Sequence, residues 1–308
     1  MIRRFVLGTL ITALLGVTVS AAGPPKGATG VTVPGAGKCA IFPNTNVWNR
    51  PVTKLPVAKN SKQLISSIGT ETGLHPDFGS DPSNGIPYNL VGKKAKKVRF
   101  TFDYADQSDQ GPYPIPAHPK IEAGSDHHLL VLDKANCHLY ELFAVEHNKH
   151  GWHAGSGAIW NLDSNALRPD GWTSADAAGL PILPGLVRYS DIQRGVINHA
   201  LRFTAMPTRS MHIYPARHDA GSGNDPALPP MGLRVRLKAS VSLKGFDRTD
   251  RILLTALKTY GMILADNGSP WFISGAPDNR WNDDTLHLID RINGSDFQVV
   301  DTSHFRNG

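Results

Sequence analysis

The feature that most restricts the fold of this chain is a recurring two-residue alternation of apolar and polar side chains. Val98, Phe100, Phe102 and Tyr104 alternate with Arg99, Thr101 and Asp103, the pattern of a strand with one buried face. It returns over residues 197–204 and 233–238. Residues 128–133 and 137–145 read as two strands joined by a tight turn at Lys134-Ala135-Asn136. Residues 262–265 and 271–274 flank Asp266-Asn267-Gly268, where Asn-Gly supplies the positive φ angles of a primed hairpin turn. Helical spacing is scarce. Ile252, Leu253, Ala256, Leu257 and Tyr260 share one face of a helix over 247–260 that Gly261 ends. Ser190 and Gln193 make a capping box that opens a short helix, and 283–291 forms the last one. The expected fold is mainly β, a single large β-sandwich or β-barrel-like domain with two or three peripheral helices. Residues 39–303 suit one such domain, with no internal repeat and no second linker.

The N-terminus reads as an export signal over residues 1–22. Arg3 and Arg4 precede an apolar stretch from Phe5 to about Val19, and Ser20-Ala21-Ala22 offers small residues for cleavage. The stretch is shorter than the roughly 20 residues that span a bilayer, and no later segment is apolar enough, so no membrane attachment is expected after cleavage. Residues 23–38 are rich in Gly and Pro and read as a flexible leader. Cys39 and Cys137 are the two cysteines, and in an oxidising compartment such a pair forms a disulfide.

The net charge of +6 is concentrated in Lys93, Lys94, Lys96, Lys97 and Arg99. Such a cluster suits a solvated rim or an acidic polymer. Nucleic acid is not expected as a partner, because no nucleic-acid-binding motif is present and the chain is exported. No Gly-rich nucleotide loop, zincin helix or G-x-S-x-G elbow occurs, so no cofactor is expected. Of the 13 histidines, the run from His147 to His153 is polar and lies between strands, a poor platform for a metal ion; no metal is expected.

Several residues suit glycan chemistry. Glu141, one of only four glutamates, shares a strand face with Leu139 and Phe143, where burial raises a carboxyl pKa as a glycosidase acid requires. Its structural alternative is an ion pair with Arg202. His128 and His199 are candidates for acid or base, or else core histidines with one partner each. Asp126 and Asp176 are candidates for the second carboxylate that glycoside hydrolysis needs. Trp160 and Trp172 flank a long polar loop over 155–185 and offer planes for sugar rings. Arg202, Arg217 and Tyr214 complete the substrate-binding candidates, the arginines as partners of a uronate. Glu141, His128, His199 and Arg202 are expected to converge where the central hairpin, this loop and the 197–204 strand meet.

The string ALRPDGWTSADAAGLPILPGLVRYSDIQRGVINHALRF (166–203), with MHIYPARH (211–218), LPPMGLRVRL (228–237) and ALKTYGMILADNG (256–268), resembles a family of secreted bacterial proteins. The likeness spans roughly Cys39 to Asp301. It implies export and a single domain among proteins of polysaccharide turnover, and it assigns no catalytic residue. Two classes of function fit these residues. One is an enzyme on extracellular polysaccharide, a glycoside hydrolase or, on a uronate polymer, a lyase with a His or Tyr214 as base. The other is a non-catalytic wall or polysaccharide-binding protein. The export reading predicts a mature N-terminus at Ala22 or Gly23. Mass spectrometry of protein from culture supernatant checks it, and retention of Met1 would refute it.

Overall fold

A computed structural model describes residues 30–307; the signal segment and residues 23–29 lie outside the described residues. The fold is mainly β, with four α-helices among the described residues. A six-stranded mixed sheet runs in the order His75–Asp77, Phe272–Ser274, Leu201–Ala205, Met262–Asn267, Arg234–Leu237, Phe297–Val299. A four-stranded sheet runs Ser156–Asn161, His138–Phe143, Leu129–Asp133, Tyr88–Val91. Three small sheets of two or three strands surround these.

The two large sheets share a core. Leu130, Leu132, Leu139 and Ala158 of the smaller sheet belong to the same buried cluster as Leu201, Phe203, Ile263 and Ile273 of the larger. The opposite face of the smaller sheet carries a second cluster, with Leu129, Val131, Tyr140 and Leu142 packed near Phe100 and Tyr113. Leu129–Asp133 is therefore buried on both faces, which is why its sequence is a continuous apolar run.

The hairpin of Leu129–Asp133 with His138–Phe143 forms as the sequence predicts. So does the helix Arg248–Thr259, whose first turn is capped by the Asp247 carboxylate accepting from the Asp250 amide. The last helix divides into an α-helical turn, Asp283–Leu286, and a 3-10 segment, His287–Arg291. The short helix Tyr189–Arg194 begins two residues earlier than the Ser190 capping box implies, with no side-chain cap on its N-terminus.

Four expectations are corrected. The 98–104 alternation is two strands in different sheets, Lys96–Val98 and Phe100–Phe102, with Tyr104 exposed. Residues 262–274 are no hairpin: Leu201–Ala205 inserts between Met262–Asn267 and Phe272–Ser274. Positive φ falls on Trp271 rather than on Asn267 or Gly268. The 146–153 run is not an unpaired link, because Glu146–Asn148 pairs with Gly151–Ala154. Finally, the Gly/Pro-rich stretch is no free leader over its described part: Val31, Val33 and Ala36 are buried in the core.

The expected 155–185 loop begins with a strand, Ser156–Asn161, paired to His138–Phe143. Beyond that strand, residues 162–188 are irregular yet largely buried. They join the two large sheets. On one side Ser156 Oγ donates to the Ser174 carbonyl and the Glu141 carboxylate accepts from the Ile182 and Leu183 amides. On the other, the Ala178 amide donates to the Ala265 carbonyl and the Val187 amide to that of Ser274.

Cys39 and Cys137 are bonded, at a sequence separation of 98, tying the N-terminal segment to the turn of the central hairpin. A loop of that length corresponds to about 4–5 kcal/mol of chain-entropy stabilisation. Cys39→Ser/Cys137→Ser should lose a few kcal/mol in urea unfolding while keeping its native circular dichroism spectrum. Unchanged stability would show that the constraint is already met by the packed N-terminal segment.

Candidate functional site

Arg202 lies on the third strand of the larger sheet and is almost fully buried. Its Nη2 donates to Asp176 Oδ1 at 3.0 Å and its Nε to Oδ2 at 3.3 Å, while Nη1 donates to Ser274 Oγ at 2.5 Å. Asp266 Oδ2 stands 3.5 Å from Nη2. The register explains this grouping. Asp77 pairs with Ser274 across the first two strands. The ladder between Leu201–Ala205 and Met262–Asn267 slips between Phe203 and Thr204, so that Asp266 instead of Ala265 faces Thr204. A bulge of this kind turns a side chain onto the opposite face, and here it turns a carboxylate toward Arg202.

From the smaller sheet comes His128. Its Nδ1 is 2.5 Å from Glu122 Oε2 and its Nε2 is 3.0 Å from the Ala175 carbonyl. Both ring nitrogens face acceptors, which a doubly protonated ring satisfies and a neutral one does not. The imidazole pKa is accordingly raised: burial works against the charge, and the bond to Glu122 overcomes it. Burial also works against the charge on Glu122, but the His128 bond holds its pKa below the usual carboxylate value.

The remaining acids around these two cations behave differently. Desolvation pushes Asp176 up to about 8 despite Arg202. Asp266 is raised by burial against the pull of Arg202 and His128. Asp77 is raised mainly by burial, with Glu122 and Asp126 adding like charge. Four carboxyls, Asp77, Glu122, Asp176 and Asp266, thus interact with Arg202 or His128, and Asp126 adds like charge at Asp77 and Asp266. Asp176 is wholly buried, Glu122 and Asp266 reach solvent in part, and Asp77 and Asp126 are exposed. Among the described residues, no group of three His, Cys, Asp or Glu side chains is arranged to hold a metal ion.

The chain continues from this cluster into a cavity of about 890 Å³. Ser80, Ile121 and Ala276 line it, three residues beyond Asp77, one before Glu122 and two beyond Ser274. Tyr88, His118, Lys120 and Asn279 also line it, so polar groups alternate with proline and aromatic surface.

Of the four residues expected to converge, the structure brings His128 and Arg202 near one another, and Asp176, a candidate second carboxylate, joins them on Arg202. Asp126 joins them through its charge, and Glu141 interacts electrostatically with His128. Glu141 does not pair with Arg202. It accepts from the Ile182 and Leu183 amides and from Trp160 Nε1, wholly buried, and desolvation pushes its pKa up to about 7. His199 belongs elsewhere. It precedes the strand instead of lying on it, donates Nδ1–H to the Ala200 carbonyl, and accepts at Nε2 from Arg188, whose guanidinium also pairs with buried Asp191. A ring with one donor and one acceptor nitrogen is neutral, and burial and Arg188 lower its pKa.

Trp160 is a core residue and Trp172 is half-buried, with the Arg168 guanidinium 5.7 Å from one ring and 5.4 Å from the other. The expected pair of open sugar platforms is therefore a closed stack. Arg217 is engaged by Asp170 and by the Arg168 carbonyl. Tyr214 lines two cavities, of about 530 and 210 Å³. Three residues of the cluster escape the sequence reading: Asp77, Glu122 and Asp266. Only the scarcity of glutamate pointed toward Glu122, and Asp266 sits in what the sequence presents as a turn.

No family model, curated protein or solved structure matches this chain.

The Glu141 geometry predicts a positioning role for that residue. In Glu141→Gln an amide NH₂ must face N–H donors, so urea unfolding should show a loss of about 1–3 kcal/mol. The folded wild-type carboxyl keeps its proton to higher pH than the unfolded one. Its contribution to stability therefore declines as pH rises from the ordinary glutamate range through about 7, and the variant should show a shallower decline there. Unchanged stability with loss of glycan turnover per folded molecule would make Glu141 catalytic instead.

Proposed function

We propose that this chain is a secreted glycoside hydrolase acting on an extracellular polysaccharide, with Glu122 as the ionised carboxylate and Asp266 as the proton donor. One observation carries the reading. Two partly exposed carboxyls lie around the same Arg202–His128 pair, one held below its usual pKa and the other above it. Glycosidic cleavage needs that division, because one carboxyl must protonate the leaving oxygen while the other stabilises or attacks the opposite side of the sugar. His128 acts through Glu122, keeping it charged and oriented, and Arg202 fixes Asp266. A cavity of about 890 Å³, lined by Ile121 next to Glu122 in the chain, has room for a sugar chain. The disulfide and the resemblance to exported proteins of polysaccharide turnover support an extracellular setting.

The lyase alternative is less well supported. β-Elimination needs a cation free to neutralise the uronate, and Arg202 and Arg217 are each already engaged by aspartate. His128 is held as a cation, so it is no base.

A panel of neutral and acidic polysaccharides, read for new reducing ends and for absorbance of unsaturated uronates, tests the proposal. Reducing ends without that absorbance are expected. Glu122→Gln and Asp266→Asn should each lower turnover by about 10² or more in protein that remains folded. The pH profile should rise as Glu122 ionises, below the ordinary glutamate range, and fall as Asp266 does, above the ordinary aspartate range. Unsaturated products would replace hydrolysis with elimination, and binding without any cleavage would make this a binding protein.

A further inference from the structure

We propose that a second surface, a basic groove beside the cavity, binds an anionic stretch of an acidic polysaccharide. The groove has a volume of about 750 Å³ and lies over the Lys96–Val98 ribbon. Lys93, Lys94 and Lys96 line it, with His147 and Trp152, and no carboxylate is among its lining residues. All three lysines are exposed, and none forms an ion pair among the described residues. Their shared positive field therefore stays uncompensated within the protein, an arrangement that costs stability unless a polyanion answers it.

The aromatic component favours a sugar polymer. The exposed His147 ring stacks on Trp152 with centroids 4.2 Å apart and planes inclined by 24°. Trp152 is in turn held against Phe100 at 5.5 Å. The backing tryptophan fixes a flat ring at the groove surface, where the apolar face of a pyranose can lie while its carboxylate meets a lysine. Lysine suits this task as a mobile point charge, in contrast to the fixed fork of a guanidinium.

Position links the groove to the carboxyl cluster. The groove and the 890 Å³ cavity both include Leu90 and Pro116 in their walls, so the two openings meet there. A chain lying in the cavity would run on into the lysines. The inference extends the hydrolase reading by naming an acidic substrate, but the groove requires no catalysis to bind.

The test measures binding directly. Calorimetry with an oligogalacturonate of defined length should show binding that weakens steeply with salt, because exposed charges are screened within about 10 Å at 0.1 M. Lys93→Gln/Lys94→Gln/Lys96→Gln, at exposed positions, should lose about tenfold or more in affinity with no fall in melting temperature. His147→Ala should weaken binding without altering the salt dependence. Binding, and its loss in the triple lysine variant, should be the same whether or not the preparation releases reducing ends, which separates failure of the groove from failure of the active site. Undiminished affinity in the triple lysine variant would overturn the proposal. So would equal affinity for a neutral glucan. Equal affinity for single-stranded DNA, lost in the same variant, would reduce the groove to an unspecific polyanion patch.

Discussion

Residues 173–188 lie almost entirely inside the protein without the hydrogen-bond ladder that normally permits burial. A peptide group removed from water without a partner costs a few kcal/mol, and here side chains, together with scattered backbone bonds, substitute for a ladder. Glu141 takes two amides. Ser174 Oγ accepts from the Asp176 amide and donates to the Leu180 carbonyl, Arg168 Nε donates to the carbonyl of Thr173, and Arg188 Nη1 to that of Leu183. The segment is thereby rigid, and it couples the two large sheets. The site depends on it as well, since it supplies Asp176 to Arg202 and the Ala175 carbonyl to His128.

The two buried histidines show how partner chemistry decides the fate of one residue type. His128 lies between a carboxylate and a carbonyl, which favour the cation; at His199 the Ala200 carbonyl and the Asp191 carboxylate also favour it, but the Arg188 guanidinium at Nε2 opposes it and, with burial, keeps the ring neutral. Burial acts against charge in both. Only the hydrogen-bonding partners differ, and they reverse the outcome. The first histidine therefore serves to hold a neighbouring carboxylate charged, while the second completes a structural group with Arg188 and Asp191. A buried charge whose partner is removed is costly, about 3–5 kcal/mol for a broken pair. Arg202 and Asp176 are thus fixed by folding before they have any part in chemistry.

The sequence discloses those parts of the fold whose local pattern survives burial. The central hairpin and the Arg248–Thr259 helix are legible because each presents its pattern over one continuous segment. The supposed hairpin at 262–274 is not, because the strand that separates its two arms lies far earlier in the chain and no local signal announces it. The same limit applies to the site. His128, Asp176 and Arg202 stand out as charged residues beside apolar ones. Asp266 acquires its place through a register slip against Thr204, and Asp77 through parallel pairing with Ser274. Both are tertiary events. Glu141 is legible as a buried acid, but its partners are backbone amides, which carry no residue identity in a sequence.

The distribution of charge connects these features to function. Around Arg202 and His128, carboxyls outnumber cations; burial raises Asp77, Asp176 and Asp266 together, and neighbouring like charge adds to it. Beyond Leu90 and Pro116 the sign reverses, with lysines unaccompanied by any acid in the groove wall. An acidic polymer would be repelled at the first place and held at the second. A chain bound across both would therefore place its charged residues in the groove and a neutral or less charged unit beside the carboxyls. There, developing positive charge on a sugar ring is what the surplus of carboxylate stabilises. Under the proposed function, two opposed fields on neighbouring surfaces would set the polarity with which a heteropolymer lies across the site, before any specific contact to an individual sugar is made.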